Sequence, residues 1–372
     1  MKSQISTLVF FVATMGFAQF GAPSGISRVP HQNGLVEAPE FYILEWKFGT
    51  QLKEKATDLT IIVDSLGNQK VNALAGPDDH EVLYTSDIST PVCADGECKL
   101  MHIRFYWTIL GQYAGFDRYP NLPLTKNDHD EFQYMDYLKL HQLLMDDNSI
   151  LKRRKMEELV KKPKQPKMEG VDAVAGATIK EIKESVVSGA LYSCYTAWHI
   201  VHGSIKEEIL QRTSASIDAD VILNMLNSRH ADYQLFALKR LDEKQYEENY
   251  ARIADIFKSG IPLVRTFIIK NLPDSFWNSE KLQGFFWNSF SEIDINSRSL
   301  LLNNINRASP KVSQGLSLQL QSMTKNQLKI YLKHLEDSNR MSSSIKENLL
   351  AFANSRSETI AYLVSDFLED YQ

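Results

Sequence analysis

The chain has 372 residues, 43% of them hydrophobic and 23% charged, with a formal net charge of −5. That length suits two domains, or one domain with an extension. The composition is that of an ordinary globular protein, and the mild negative charge supplies no general attraction to nucleic acid.

The first 18 residues read as a cleavable secretory signal. Lys2 gives a positive start, Ile5 to Ala18 is a short apolar core, and Gly16-Phe17-Ala18 places small residues where a signal peptidase reads. The mature chain is then expected to begin at Gln19, in the periplasm or outside the cell. The apolar run is shorter than the roughly 20 residues a spanning helix needs, with an uncleaved anchor as the alternative.

Residues 35–125 have the pattern of a mixed region with strands. Leu59 to Asp64 is β-branched and apolar, Ser65 to Gln69 reads as a turn, and Val71 to Gly76 completes a hairpin. In His102 to Leu110, alternation puts Ile103, Phe105, Trp107 and Ile109 on one face. Arg104, Tyr106 and Thr108 fall on the other, as in a half-buried strand. Cys93 and Cys98 flank an Asp95-Gly96 turn, so a small structural disulfide is expected there, with a redox-active dithiol as the alternative. Cys194 reads as a buried single thiol.

Residues 126–203 read as mainly helical. Asn127 or Asp128 can cap a helix running to about Met145, with Phe132, Met135, Leu138, His141, Leu144 and Met145 on one face. The stretch from Lys152 to Lys167 carries eight Lys or Arg and two Pro. It reads as a solvated linker or, alternatively, as a phosphate-steering patch. A long helix is expected from Thr178 to about His202, its apolar face formed by Ile179, Ile182, Val186, Ala190, Cys194, Ala197 and Val201. From Ser204 onward the pattern is helical throughout. Three similar stretches end at Leu241, Leu272 and Ile305, steps of 31 and 33 residues, a period that suits helix-pair repeats of the HEAT type. A non-repeating bundle is the alternative.

The sharpest chemical signal is Asp172-Ala173-Val174-Ala175-Gly176-Ala177-Thr178. A tight turn of small residues opening a helix offers free backbone N–H groups and a positive dipole end to an anion, and Thr178 adds a hydroxyl there. A plain helix cap is the competing reading of the same residues. The segment resembles the flavinylation motif of the FMN-binding domain family, which includes subunits of the sodium-pumping NADH:quinone reductase and of the Rnf electron-transport complex. Asp172, Gly176, Ala177 and Thr178 match in place, while Ala175 stands where the family usually has Ser or Thr. The resemblance implies an α+β domain over residues 35–203 and FMN joined through its phosphate to Thr178 by a dedicated flavin transferase. It also implies work on the extracytoplasmic side, beside a membrane-associated electron-transfer complex. Phe105, Tyr106, Trp107, Tyr113 and Phe116 are candidates for an aromatic shelf under the flavin.

Among other constellations, His199 and His202 lie three apart on one helix and could share a metal if a third ligand came from elsewhere. His80 and the Asp128/His129/Asp130 cluster read as surface or cap residues. No GxSxG, HExxH, Walker or GxGxxG arrangement occurs. The sequence therefore predicts an α+β FMN-binding domain over 35–203 followed by an all-α, HEAT-like array over 204–372, and an exported flavoprotein that relays electrons. Two other readings stand beside it. One is an interaction protein whose FMN-binding domain is vestigial; the other is an exported thiol oxidoreductase using Cys93 and Cys98.

Overall fold

The computed structural model describes residues 26–27, 50–63, 67–77, 79–92, 100–119, 121–127, 129–161, 177–178, 180–355 and 359–371. The signal segment, Cys93, Cys98, Asp172 and Gly176 lie outside them. The chain divides into two compact units, residues 1–217 and 218–372, one helix beyond the boundary expected at 203/204. Among the described residues no helix is long and apolar enough to cross a membrane.

In the first unit, β1 (Ile26–Ser27) and β2 (Thr50–Gln51) form a short parallel pair. The main sheet is an antiparallel meander of β3 (Lys53–Val63), β4 (Gly67–Ala75), β5 (Glu81–Pro91), β6 (Leu100–Thr108) and β7 (Tyr113–Arg118). The expected hairpin is β3–β4, with Val63 opposite Gly67, and Gly67 takes the left-handed backbone that closes it (φ 74°).

Three helices pack on this sheet: α1 (Tyr134–Met145), α3 (Leu191–Val201) and α4 (Ile205–Ser216). Trp107 is fully buried and its Nε1 donates to the Val201 carbonyl at 3.0 Å. Thr213 of α4 donates to the Ile109 carbonyl at 2.5 Å, and Arg212 reaches Asp58 and Glu81 at 2.7 and 3.2 Å. These bonds explain why α4 belongs to the first unit. Gly111 (φ 72°) permits the close approach, since a Cβ there would lie 2.2 Å from the Lys206 carbonyl oxygen.

Helix α1 starts at Tyr134, later than Asn127 or Asp128 would place it. Its cap is Gln133, whose N–H donates to Asp136 at 2.9 Å. The buried face is correspondingly rotated to Tyr137, Leu140, His141, Leu143 and Leu144, and Met135 is left 70% exposed. The single long helix expected from Thr178 is two helices, α2 (Lys180–Ser185) and α3, separated by residues 186–190. The β-branched pair Val186-Val187 and the turn pair Ser188-Gly189 break it, with Gly189 at φ 75°. The apolar stripe survives the break: Ile182, Val186, Ala190, Cys194, Ala197 and Val201 are all buried.

The second unit is all α: α5 (Ala219–Asn227), α6 (Ala231–Leu238), α7 (Glu243–Glu248), α8 (Tyr250–Ser259), α9 (Pro262–Asn271), α10 (Asp274–Asn278), α11 (Glu280–Trp287), α12 (Ile295–Leu302), α13 (Pro310–Ser317), α14 (Lys325–Ser338), α15 (Ser343–Ala353) and α16 (Tyr362–Asp370). The helices stack in two rows. One runs α6, α9, α12, α14, α16; the other runs α8, α11, α13, α15. The three similar sequence stretches fall on α6, α9 and α12, consecutive members of the first row. The fourth residue of each bonds a backbone carbonyl outside its own helix. Gln234 donates to Ser228 at 2.8 Å, Arg265 to Phe257 and Lys258 at 2.8 and 2.9 Å, and Arg298 to Ser322.

Candidate functional site

Of the motif singled out in the sequence, Ala177 and Thr178 are described, as the two-residue strand β9 (Ala177–Thr178). It pairs antiparallel with β8 (Val160–Lys161), Thr178 opposite Val160 and Ala177 opposite Lys161. Thr178 is thus in extended backbone, two residues ahead of a six-residue helix, rather than at the mouth of a long one. The anion-binding helix terminus that the sequence pattern implied is reduced to one short helix.

The partner strand belongs to the basic stretch. Its described part, 152–161, is folded rather than a solvated linker: a 3₁₀ turn over Ile150–Arg153, a second over Met156–Glu158, then β8. Leu151 and Leu159 are fully buried and pin it. The first 3₁₀ turn packs against α2, so residues 150–161 meet residues 177–185 twice, through β8–β9 and through α2. Lys152, Arg153 and Arg154 line a cavity of about 460 Å³ with Asn148, Ser149 and Ile150. Lys152 and Arg153 are exposed and Arg154 is half-exposed, so their charge faces solvent.

Helix α3 and its C-cap residue His202 reach this segment and the end of α1 with four side-chain donors. His202 Nε2 lies 2.9 Å from the Leu144 carbonyl, Trp198 Nε1 2.8 Å from Asp146, His199 Nε2 3.2 Å from Leu151, and the Tyr195 hydroxyl 2.9 Å from Arg154. A carbonyl only accepts, so both histidines carry hydrogen on Nε2. Burial lowers the pKa of each, partly offset by the carbonyl it bonds. The metal reading of this pair meets two nitrogens already occupied by backbone, and no group of three possible ligands occurs among the described residues.

All five aromatic candidates for a shelf are buried. Phe105, Trp107, Tyr113 and Phe116 are buried in the core, where Phe116 packs on Tyr137 of α1 and the Tyr113 hydroxyl sits 2.8 Å from His141 Nδ1. Burial alone lowers the His141 pKa to about 4. Cys194 is a buried free thiol that accepts the Val187 N–H at 3.4 Å, and burial pushes its pKa up to about 12.

The opposite sheet face carries a network that sequence reasoning missed. The alternation in β6 assigned Arg104, Tyr106 and Thr108 to one side correctly, but that side is buried too. Arg104 bonds both Asp87 oxygens, at 2.6 and 2.5 Å, and lies 3.5 Å from Glu54. Tyr119 donates to Asp87 at 2.6 Å and Tyr106 to Asp117 at 2.7 Å. Burial works against the Arg104 charge, but the bonds and charge of Asp87 outweigh it, and its pKa rises. The signal was an Arg inside a strong strand pattern; its partner Asp87 is revealed only by the β5–β6 register. Arg104 is tied to Asp87 on two bonds and faces Glu54, a pairing that suits a structural role more than a reactive one.

Comparison with known proteins returned no match to any family description, any curated protein or any solved structure.

Proposed function

We propose that this chain is an exported flavoprotein that carries FMN on Thr178 and relays electrons outside the cytoplasm. The observation that carries the reading is the run Asp172 to Thr178, with Asp172, Gly176, Ala177 and Thr178 in the flavinylation pattern, following strands and placed behind a secretory signal. In the attachment, the Thr178 hydroxyl oxygen bonds the flavin-side phosphorus of a flavin dinucleotide. The pyrophosphate bond breaks, and the second nucleotide leaves as its monophosphate with the hydroxyl proton passing to solvent. A flavin transferase supplies the catalysis. Thr178 lies in extended backbone, and Lys152, Arg153 and Arg154 would balance the phosphodiester charge. Bound FMN supplies one- and two-electron transfer, and a tether retains it where fresh cofactor is scarce. The core position of Phe105, Trp107, Tyr113 and Phe116 means the ring would lie against other residues.

The second unit fits a HEAT-like array, and its two rows of helices support that reading. Such an array would present a surface to a redox partner or a membrane-associated complex. A second reading, an interaction protein with a vestigial FMN-binding domain, is favoured by Ala175 and by the shortness of α2. The discriminating measurement is intact mass of the exported protein after coexpression with a flavin transferase, beside Thr178→Ala. A gain of one FMN less water, lost in the variant, is expected. No gain, with no yellow colour on adding FMN, overturns the flavin reading.

A further inference from the structure

The ring donors of α3 do more than pack a helix. His202 and Trp198 bond residues 144 and 146, and His199 and Tyr195 bond residues 151 and 154, so the segment runs broadly antiparallel to the helix. The first two acceptors, Leu144 and Asp146, lie at the end of α1, whose carbonyls lack partners within the helix. His202 and Trp198 therefore have a sufficient role as caps. The Leu151 and Arg154 carbonyls are different. They belong to the 3₁₀ turn and the residue after it, and that turn packs on α2 while its continuation pairs with Ala177 and Thr178. His199 and Tyr195 lie against each other at 4.2 Å between ring centroids, with their planes tilted by 44°, so they form one unit.

We propose that Tyr195 and His199 are positioning residues for Thr178: by fixing residues 150–161 to α3, they hold the strand that fixes the acceptor strand. The inference rests on the flavin-carrier reading. Neither residue touches Thr178 in the described contacts; each acts through a backbone carbonyl and a strand pair. The two-residue pairing of β8 with β9 is too short to be stable alone, so its geometry must be imposed by what anchors β8. Losing two side-chain bonds loosens that anchor without removing any hydrophobic contact of Leu151 or Leu159.

The test uses the full chain with the double substitution Tyr195→Phe/His199→Phe, which keeps both rings and deletes both donors. A second variant, Tyr195→Phe/His199→Gln, restores an N–H donor at 199. Thr213→Val, which deletes the bond to Ile109 elsewhere in the same unit, controls for general destabilisation. Two readouts are taken: amide exchange over residues 150–161 and 177–185, and the rate of mass gain with a flavin transferase and flavin dinucleotide. In the double Phe variant, exchange is expected to rise in both segments and the rate of mass gain to fall roughly tenfold. The Gln variant should recover much of it, and Thr213→Val should leave the rate near wild type. An unchanged rate in the double Phe variant overturns the proposal, as does faster exchange in 150–161 with none in 177–185. A wild type that gains no FMN overturns the flavin reading instead, and the exchange comparison still decides whether these two side chains control the acceptor strand.

Discussion

The two units solve the same problem by opposite means. In the first, partners are far apart in sequence: Trp107 bonds Val201, Tyr195 bonds Arg154, and Arg212 bonds Asp58. In the second, each helix meets others within a span of about one repeat, and its polar groups reach carbonyls one turn or one helix away, as Arg265 does with Phe257. A structure built from distant contacts stands or falls as a whole, whereas a stack of neighbours can lose one interface and keep the next. The largest expected effect follows. Trp107→Ala should cost about 4 kcal/mol and speed amide exchange across β3 to β7 together. Phe286→Ala, an equally buried ring in α11, should cost a similar amount but speed exchange first in α8, α11 and α13. Uniform loss of protection along α5 to α16 would break the comparison.

Acid should separate the units further. His141 is buried with its pKa lowered to about 4, and in the unfolded chain it titrates near 6.5. Between those values the unfolded state binds more protons, so stability rises with pH. The contribution is full above about 6.5 and is lost as pH falls towards 4, up to roughly 3 kcal/mol. His199 and His202 shift in the same direction in the same unit, while the second unit has His334, also lowered by burial. Urea midpoints read separately for the two units from pH 7 to 4 should fall more steeply for the first. His141→Gln should flatten that slope; a slope unchanged in the variant would remove His141 as its source.

The legibility of the sequence follows the same division. The repeat spacing of 31 and 33 residues was readable because each helix contacts its row neighbour at that period. The β3–β4 hairpin and the two sides of β6 were readable from local alternation. The cap of α1 was missed because Asn127 and Asp128 are stronger cap formers than Gln133, and only the Asp136 carboxylate favours the later start. The break at 186–190 was missed because the turn carries the apolar stripe across at a spacing of four, from Val186 to Ala190. At the candidate site, the sequence singled out Thr178 by its neighbours alone. Its setting in a strand against Val160 was not legible, because pairing of the basic stretch with the motif leaves no periodic trace.

The smallest effect tests the local half of the comparison most sharply. Asp294 caps α12, accepting the Asn296 and Ser297 N–H groups at 3.1 and 3.0 Å, and it also pairs with Arg265 of α9 at 3.1 Å. Burial disfavours its charge, but the Ser297 bonds and Arg265 overcome this and lower its pKa. That stability is present above the unfolded carboxylate range near 4 and is lost as pH falls below it, a window beneath that of His141. Asp294→Ala should therefore cost about 1–2 kcal/mol at neutral pH. Arg265 keeps its bonds to Phe257 and Lys258, so α9 should hold its place while the first turn of α12 frays. Exchange should rise at residues 295–298 and little in α6, which packs on α9 from the other side. If protection in α6 falls as far as in α12, the row transmits strain over two interfaces, and the second unit is as cooperative as the first.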